Sequence, residues 1–257
     1  MKVKEITAIL EEAAPLFLQE SYDNSGLLVG DPEAEIDSAL ICVDATESVV
    51  AEAAEVGAGL VLSHHPVIFH PLKRLTGGSY IERTVAEAVR RGIALYACHT
   101  NLDSAPGGMS WRLAEMLGVG NLRVLQPSET GDGAGFGVVG ELPEAVDTVE
   151  FMRIIQRRLE VSVVRYSDIA TSGVRRVAVC TGAGASLIGE ARRAGADIYI
   201  TADMKYNDFM TPDKALTVAD IGHFESEYCA IQLIFDILSK NLCTFAVRKS
   251  ERSRNPV

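Results

Sequence analysis

Leu60-Val61-Leu62-Ser63-His64-His65-Pro66 begins as an apolar run of strand character and closes on two adjacent imidazoles. Pro66 restricts His65 to extended or polyproline geometry, so both rings sit on a defined stretch of backbone. Neighbouring strand side chains point to opposite faces, which suits an adjacent pair poorly to gripping one ion and better to serving two. In two-metal hydrolytic sites the ions lie about 3.5–4 Å apart, and a strand end of this kind can lend a nitrogen to each. On the N-terminal side, Ala39-Leu40-Ile41-Cys42-Val43-Asp44 reads as a second buried strand. Thr46 caps the helix between the two, Glu47 occupies its first turn, and Gly57-Ala58-Gly59 stops it. Strand, helix, strand is a βαβ unit, which predicts parallel pairing and a right-handed crossover.

Further out, residues 4–19 carry Ile6, Ile9, Leu10, Ala13, Ala14 and Leu16 at helical spacing, broken or kinked by Pro15. Asp23-Asn24-Ser25-Gly26 is turn chemistry before Leu27-Leu28-Val29-Gly30. A helix over 80–91 closes at Gly92, and the strand 93–98 ends in His99-Thr100-Asn101-Leu102-Asp103. After the turn at Ala105–Gly108 a helix runs from Ser110 to Leu117. Between Gln126 and Gly140 the chain is rich in glycine, with Pro127, Ser128, Glu129 and Asp132. This is a linker or hairpin, and it sets the expected division into 1–125 and 126–257. No Lys-Ser or Lys-Thr opens a helix after it, so it is not a phosphate-binding loop. The second part continues with a helix near 147–160, strands at 175–180, 197–201 and 216–219, and a last helix from Tyr228 to Leu238. That helix can pack back on the first part. Ala51–Ser63 lies over Gly189–Thr201 at a constant offset, with matches at Glu, Ala, Gly and Ser/Thr, which suggests an internal duplication. The expected fold is therefore α/β: two related halves with mixed, largely parallel sheets flanked by helices. Gly182-x-Gly184 lacks the third glycine of a dinucleotide fingerprint, although a helix N-terminus there leaves a substrate phosphate open. The basic run Arg248–Arg254 reads as a solvated terminus.

A length of 257 residues gives ample chain for a sizeable core, and 47% hydrophobic with 23% charged residues is an ordinary globular composition. The net charge of −11 argues against a dedicated nucleic-acid binder, which needs a basic face for phosphates. The cysteines Cys42, Cys98, Cys180, Cys229 and Cys243 are odd in number and mostly lie in apolar runs. They read as buried thiols of a reducing compartment rather than disulfides or thiolate ligands. Met1-Lys2-Val3-Lys4-Glu5 shows no apolar signal core, and no stretch approaches the roughly 20 apolar residues of a membrane helix. A cytoplasmic protein without a membrane segment is expected.

Four of the five histidines, His64, His65, His99 and His223, fall at predicted strand ends, where parallel α/β sheets collect ligands. If a helix has begun by His223, then His223 and Glu227 share a face at i and i+4; if it begins later, they need not converge. Together, His64, His65, Asp103, His223 and Glu227 offer nitrogen and carboxylate donors suited to zinc, iron, manganese, cobalt or nickel, and Asp103 or Glu227 has oxygens enough to bridge two ions. His99 could ligate, hold a ligating carboxylate from behind, or move a proton; support from behind fits it best, and in an enzyme it is the candidate catalytic group. His70, between Phe69 and Pro71, reads as structural or surface.

Ser63-His64-His65-Pro66-Val67-Ile68-Phe69, Pro71-Leu72-Lys73, His99 through Gly108, and Gly222-His223-Phe224-Glu225-Ser226-Glu227 resemble, in order, the signatures of the Nif-three-like family. Tyr22-Asp23-Asn24-Ser25-Gly26-Leu27 fits as well, and the similarity runs from the first helix to about residue 248. Bacterial members carry the label GTP cyclohydrolase I type 2 homolog. The resemblance implies a two-part α/β protein forming a toroidal homohexamer, with a dinuclear centre facing the internal cavity. The ligands it implies fall on His64, His65, Asp103, His223 and Glu227. Longer relatives carry an inserted domain, for which this chain is too short. Ala202-Asp203-Met204-Lys205-Tyr206-Asn207-Asp208 departs from the family's Gly-Asp-x-Lys-Tyr-His-Asp at its first and sixth positions, Ala202 and Asn207, sparing the implied ligands.

Two functions follow as expectations. One is a metal-dependent hydrolase with two divalent transition-metal ions, acting on a small molecule such as a nucleotide. The other is a non-enzymatic ring that stores, delivers or senses metal, or presents surfaces to partners. A hydrolase needs a positioned acid or base besides its ligands, and His99 supplies a candidate. A DNA-threading ring is disfavoured by the charge.

Overall fold

A computed structural model describes residues 1–129 and 133–257. In chain order the elements are α1 (Val3–Ala13), β1 (Gly26–Val29), β2 (Ser38–Asp44), α2 (Glu47–Val56), β3 (Leu60–His65), α3 (Tyr80–Arg91), β4 (Ala94–Ala97), α4 (Thr100–Ser104) and α5 (Met109–Met116). They continue with β5 (Gly120–Pro127), β6 (Gly135–Asp147), α6 (Thr148–Leu159), β7 (Arg165–Tyr166), β8 (Gly173–Val179) and α7 (Ile188–Arg193). The last are β9 (Ile198–Thr201), β10 (Thr217–Asp220), α8 (His223–Glu227), α9 (Cys229–Asn241) and β11 (Ala246–Lys249). The fold is α/β, with two mixed sheets flanked by helices. Contacts divide the chain into one unit of Met1–Leu102 with Ala230–Val257 and another of Asp103–Cys229. Among the described residues no helix is long and apolar enough to cross a membrane.

The first unit carries a five-stranded sheet in the order β1-β4-β3-β2-β11. Central β3 runs parallel to both β2 and β4, and β1 closes one edge antiparallel. Because β3 is covered on both faces, Leu60, Val61 and Leu62 are all fully buried, and the strand reads as a continuous apolar run instead of alternating. Each such side chain contributes roughly 1.5–3 kcal/mol by leaving water. The Thr46 hydroxyl accepts from the Val49 amide, capping α2 as its sequence implies, and Gly57 ends that helix at φ +72°, where a side chain would be strained. Helix α1 stops at Ala13, before Pro15, and a single 3-10 turn over Leu16–Leu18 follows.

The basic run near the C-terminus is not merely solvated. Arg248 and Lys249 lie in β11, parallel to β2, because the open edge of β2 supplies backbone partners that local polarity does not forbid. Beyond it Ser250 is buried, and the buried carboxylate of Glu52 accepts from the Ser250 hydroxyl (2.5 Å) and the Glu251 and Arg252 amides (2.8 and 3.3 Å).

The second unit holds a six-stranded sheet, β5-β6-β8-β9-β10-β7. β8, β9 and β10 are parallel, whereas β6 and β7 pair antiparallel with their neighbours. The glycine-rich stretch separates the antiparallel partners β5 and β6, with Pro127 opposite Gly135; residues 130–132, which include Asp132, lie outside the described residues. Tyr199, Ile198 and Ile200 of β9 are fully buried in this unit's core, and the Tyr199 hydroxyl donates to the Gly184 carbonyl at 2.8 Å.

Candidate functional site

In the first unit, β3 delivers His64 and His65 to its last two positions. Strict pleating would separate the rings, yet their centroids lie 5.0 Å apart. Each ring is drawn sideways by an acceptor on a different side of the strand. His64 Nδ1 donates to the Cys98 carbonyl just past β4 at 2.7 Å, and His65 Nδ1 donates to Asp44 Oδ1 at the end of β2 at 2.8 Å. Asp44 and His65 are register partners across the parallel ladder, so sheet pairing itself sets that bond. His99 follows β4, with its ring 5.3 Å from His64 and 5.4 Å from His65. One ring nitrogen from each of these three residues lies within 4.8 Å of the others.

His99 Nδ1 is held by Asp23 at 2.7 Å. The Asp23 carboxylate is enclosed and also accepts from the amides of Asn24 (2.7 Å) and Thr100 (3.0 Å) and from the Ser25 and Thr100 hydroxyls. Burial opposes its ionisation, but the bonds from His99 and Thr100 outweigh burial and hold Asp23 well below the usual carboxylate range. His70, by contrast, is exposed and packs edge-on to Phe69.

In the second unit, α8 begins at His223, so the i and i+4 side chains do share a face: His223 Nε2 and Glu227 Oε2 are 3.0 Å apart. His223 Nδ1 bonds Asp203 Oδ2 at 2.8 Å. The Glu227 carboxylate, seconded by Asp203, raises the imidazole to about 9 despite the cost of burial. Asp103, half-buried in α4, accepts from the Thr181 hydroxyl at 3.3 Å. Gly182 comes next, at φ +62°; a Cβ there would stand 2.3 Å from Glu227 Oε1, so glycine permits the close approach of that carboxylate. Its amide donates to Ser226 Oγ at 2.9 Å. This corrects the phosphate expectation: Glu227 crowds Gly182, and the helix that follows, α7, has only six residues.

All four strand-end imidazoles thus engage an oxygen acceptor through Nδ1, at the Cys98 carbonyl, Asp44, Asp23 and Asp203. In the neutral tautomer this puts the lone pair on Nε2, the arrangement by which ligating histidines are oriented; at His223 the carboxylates of Glu227 and Asp203 favour the protonated ring instead. Sequence reading missed Asp44 and Asp203 and took Asp23 for a turn residue. The register of two parallel strands could have pointed to Asp44, and Asp203 lies in the Ala202–Asp208 segment that resembles a family motif, where nothing local ties it to His223.

The family described as Duf34/NIF3 (NGG1p interacting factor 3) matches residues 1–256. A Clostridium perfringens protein named GTP cyclohydrolase 1 type 2 homolog is 37% identical over 230 residues, covering 89% of this chain and 87% of its own. A Lactococcus lactis protein of the same name is 33% identical, covering 100% and 98%. Among solved structures, a Bacillus cereus protein related to NIF3 superposes with a TM-score of 0.92 at 24% identity, covering 100% of this chain and 98% of that one, a likeness of fold.

Proposed function

The chain belongs to the Duf34/NIF3 family, and from that premise we propose that it is a metal-dependent hydrolase of a small molecule, holding two divalent transition-metal ions. The observation that carries this reading is the shared anchoring of His64, His65, His99 and His223 through Nδ1, which in a neutral ring puts the lone pair on Nε2. Neutral imidazole and carboxylate donors suit zinc, iron, manganese, cobalt or nickel. His64, His65, Asp103, His223 and Glu227 would hold the ions. When bound, such ions lower the pKa of water and polarise a carbonyl, amidine or phosphoryl group. His99 takes the part of proton carrier. Asp23 fixes its tautomer, as a carboxylate does for a general base. A nucleotide is the favoured substrate class because relatives are named GTP cyclohydrolase 1 type 2 homolog. The resemblance to the family also leads us to assign a homohexamer, which light scattering would show as six copies.

The test is metal analysis of protein purified without added metal, run beside a panel of nucleotides including GTP, phosphoesters and cyclic amides. A hydrolase retains metal and turns over one member, and Asp103→Ala abolishes that turnover. Metal exchange with no turnover dependent on these residues would instead identify a metal carrier.

A further inference from the structure

His223 and Asp203 make their hydrogen bond from two separate segments of the second unit, and a third residue grips both segments. Asp220, last in β10 and only 2% exposed, divides its two carboxylate oxygens between them. Its Oδ2 accepts at 2.9 Å from the amide of Met204, the residue after Asp203. Its Oδ1 accepts at 3.0 Å from the amide of Gly222, the residue before His223. The Arg165 guanidinium also donates to Oδ2. A buried carboxylate is costly unless donors compensate it, and these three do.

Arg165 stands directly across from Asp220 in the antiparallel pairing of β10 with β7, a strand of only two residues. Its guanidinium lies 5.7 Å over the Phe209 ring, which itself packs on this unit's core. The segment from Asp203 to Phe209 is thereby tied near both ends, at Met204 by Asp220 and at Phe209 by Arg165. Such ties matter because Asp203 sits at φ +54°, a conformation that persists only where surrounding contacts over-determine it. The junction also requires a carboxylate. Both Asp220 oxygens face N–H donors, so asparagine would accept at one and turn its NH2 group towards a donor at the other.

We propose that Asp220, braced by Arg165, is a positioning residue for His223. It sets the Asp203 carboxylate and the imidazole within reach of each other, and so fixes the ring with Nδ1 on Asp203 at 2.8 Å and Nε2 beside Glu227 at 3.0 Å. The proposal rests on the hydrolase reading only for the duty of His223 as a metal ligand; the positioning itself needs no metal.

The test compares the full chain and its variants, chelator-treated, by NMR of the His223 ring nitrogens detected through the non-exchanging protons on the ring carbons. Zinc affinity is then measured on the same samples by competition with a chromophoric chelator. Asp220→Asn is expected to move the His223 Nδ1 signal from its wild-type position and to weaken zinc binding about tenfold. Arg165→Gln, at a side chain 58% exposed, should shift both in the same direction by less, and Arg165→Lys should restore them. Val218→Ala, fully buried in the same strand, serves as the control: it should lower the thermal midpoint and leave the His223 signal in place. An unmoved signal in folded Asp220→Asn overturns the proposal. Should that variant fail to fold, an unmoved signal in Arg165→Gln overturns it equally. So does a shift in Val218→Ala as large as that in Asp220→Asn, which would reduce Asp220 to a purely structural part. The zinc measurement separates the two claims. A shifted signal with zinc affinity absent or unchanged removes His223 from the metal reading and leaves the positioning role, whereas strong zinc binding with an unmoved signal removes the positioning role alone.

Discussion

Asp203 adopts φ +54°, a left-handed conformation that costs a non-glycine residue roughly 1–2 kcal/mol, and from it reaches His223 Nδ1. Its carboxylate is about half exposed, so its effect belongs to orientation and not to folding. Asp203→Ala is expected to weaken metal affinity about 10–100-fold with little change in thermal midpoint, read by competition with a chromophoric chelator. Asp44→Ala should act on His65 in the same direction. Cysteine gives a second prediction at this scale. Burial pushes the Cys98, Cys180 and Cys229 thiols up to about 12 and raises Cys42 well above the ordinary thiol value, while Cys243 is exposed. A thiol reagent near pH 8 is expected to label one cysteine per native chain and five after unfolding. The linkage has a definite sign. Unfolded thiols ionise near 9 while folded ones hold their protons to about 12, so stability is complete below pH 9 and declines as pH rises from 9 towards 12. Urea midpoints measured across that range check it.

Among the elements, the joint between β8 and the stretch leading to α7 is closely constrained. Gly182→Ala would combine a left-handed φ with a Cβ 2.3 Å from Glu227 Oε1, so a loss of about 1–2 kcal/mol is expected in urea titration, together with weakened metal binding as Glu227 is displaced. In the first sheet, Leu62→Ala is expected to cost about 2–5 kcal/mol, because the leucine is wholly buried in the central strand. The elements most legible in the sequence carry their own signals: Thr46 caps α2, Gly57 and Gly92 end α2 and α3, and β3 reads apolar throughout because both faces are covered. Other features become legible only through pairing. β11 is polar and joins its sheet because β2 has an open edge, and Asp44 meets His65 because two parallel strands share a register. The histidines could be found by their places at strand ends. Asp23 and Asp203 could not be assigned to them, since each reaches its imidazole from a different segment of chain.

For the molecule as a whole, any cation held only by the folded chain must raise its stability by mass action. At free metal 100 times the dissociation constant the gain is about 2.7 kcal/mol, seen as a rise in thermal midpoint that chelator reverses. A chain whose midpoint ignores both metal and chelator would contradict the proposed centre. The clasp of residues 250–252 onto Glu52 has another consequence. β11 shields β2, which neighbours the strand bearing His64 and His65, so the last dozen or so residues act as a latch on the first sheet. Glu52→Gln would loosen that latch, and amide exchange should quicken first in β11 and then in β2, before β3, β4 or β1 responds, so that fraying at this edge travels inward towards the histidines.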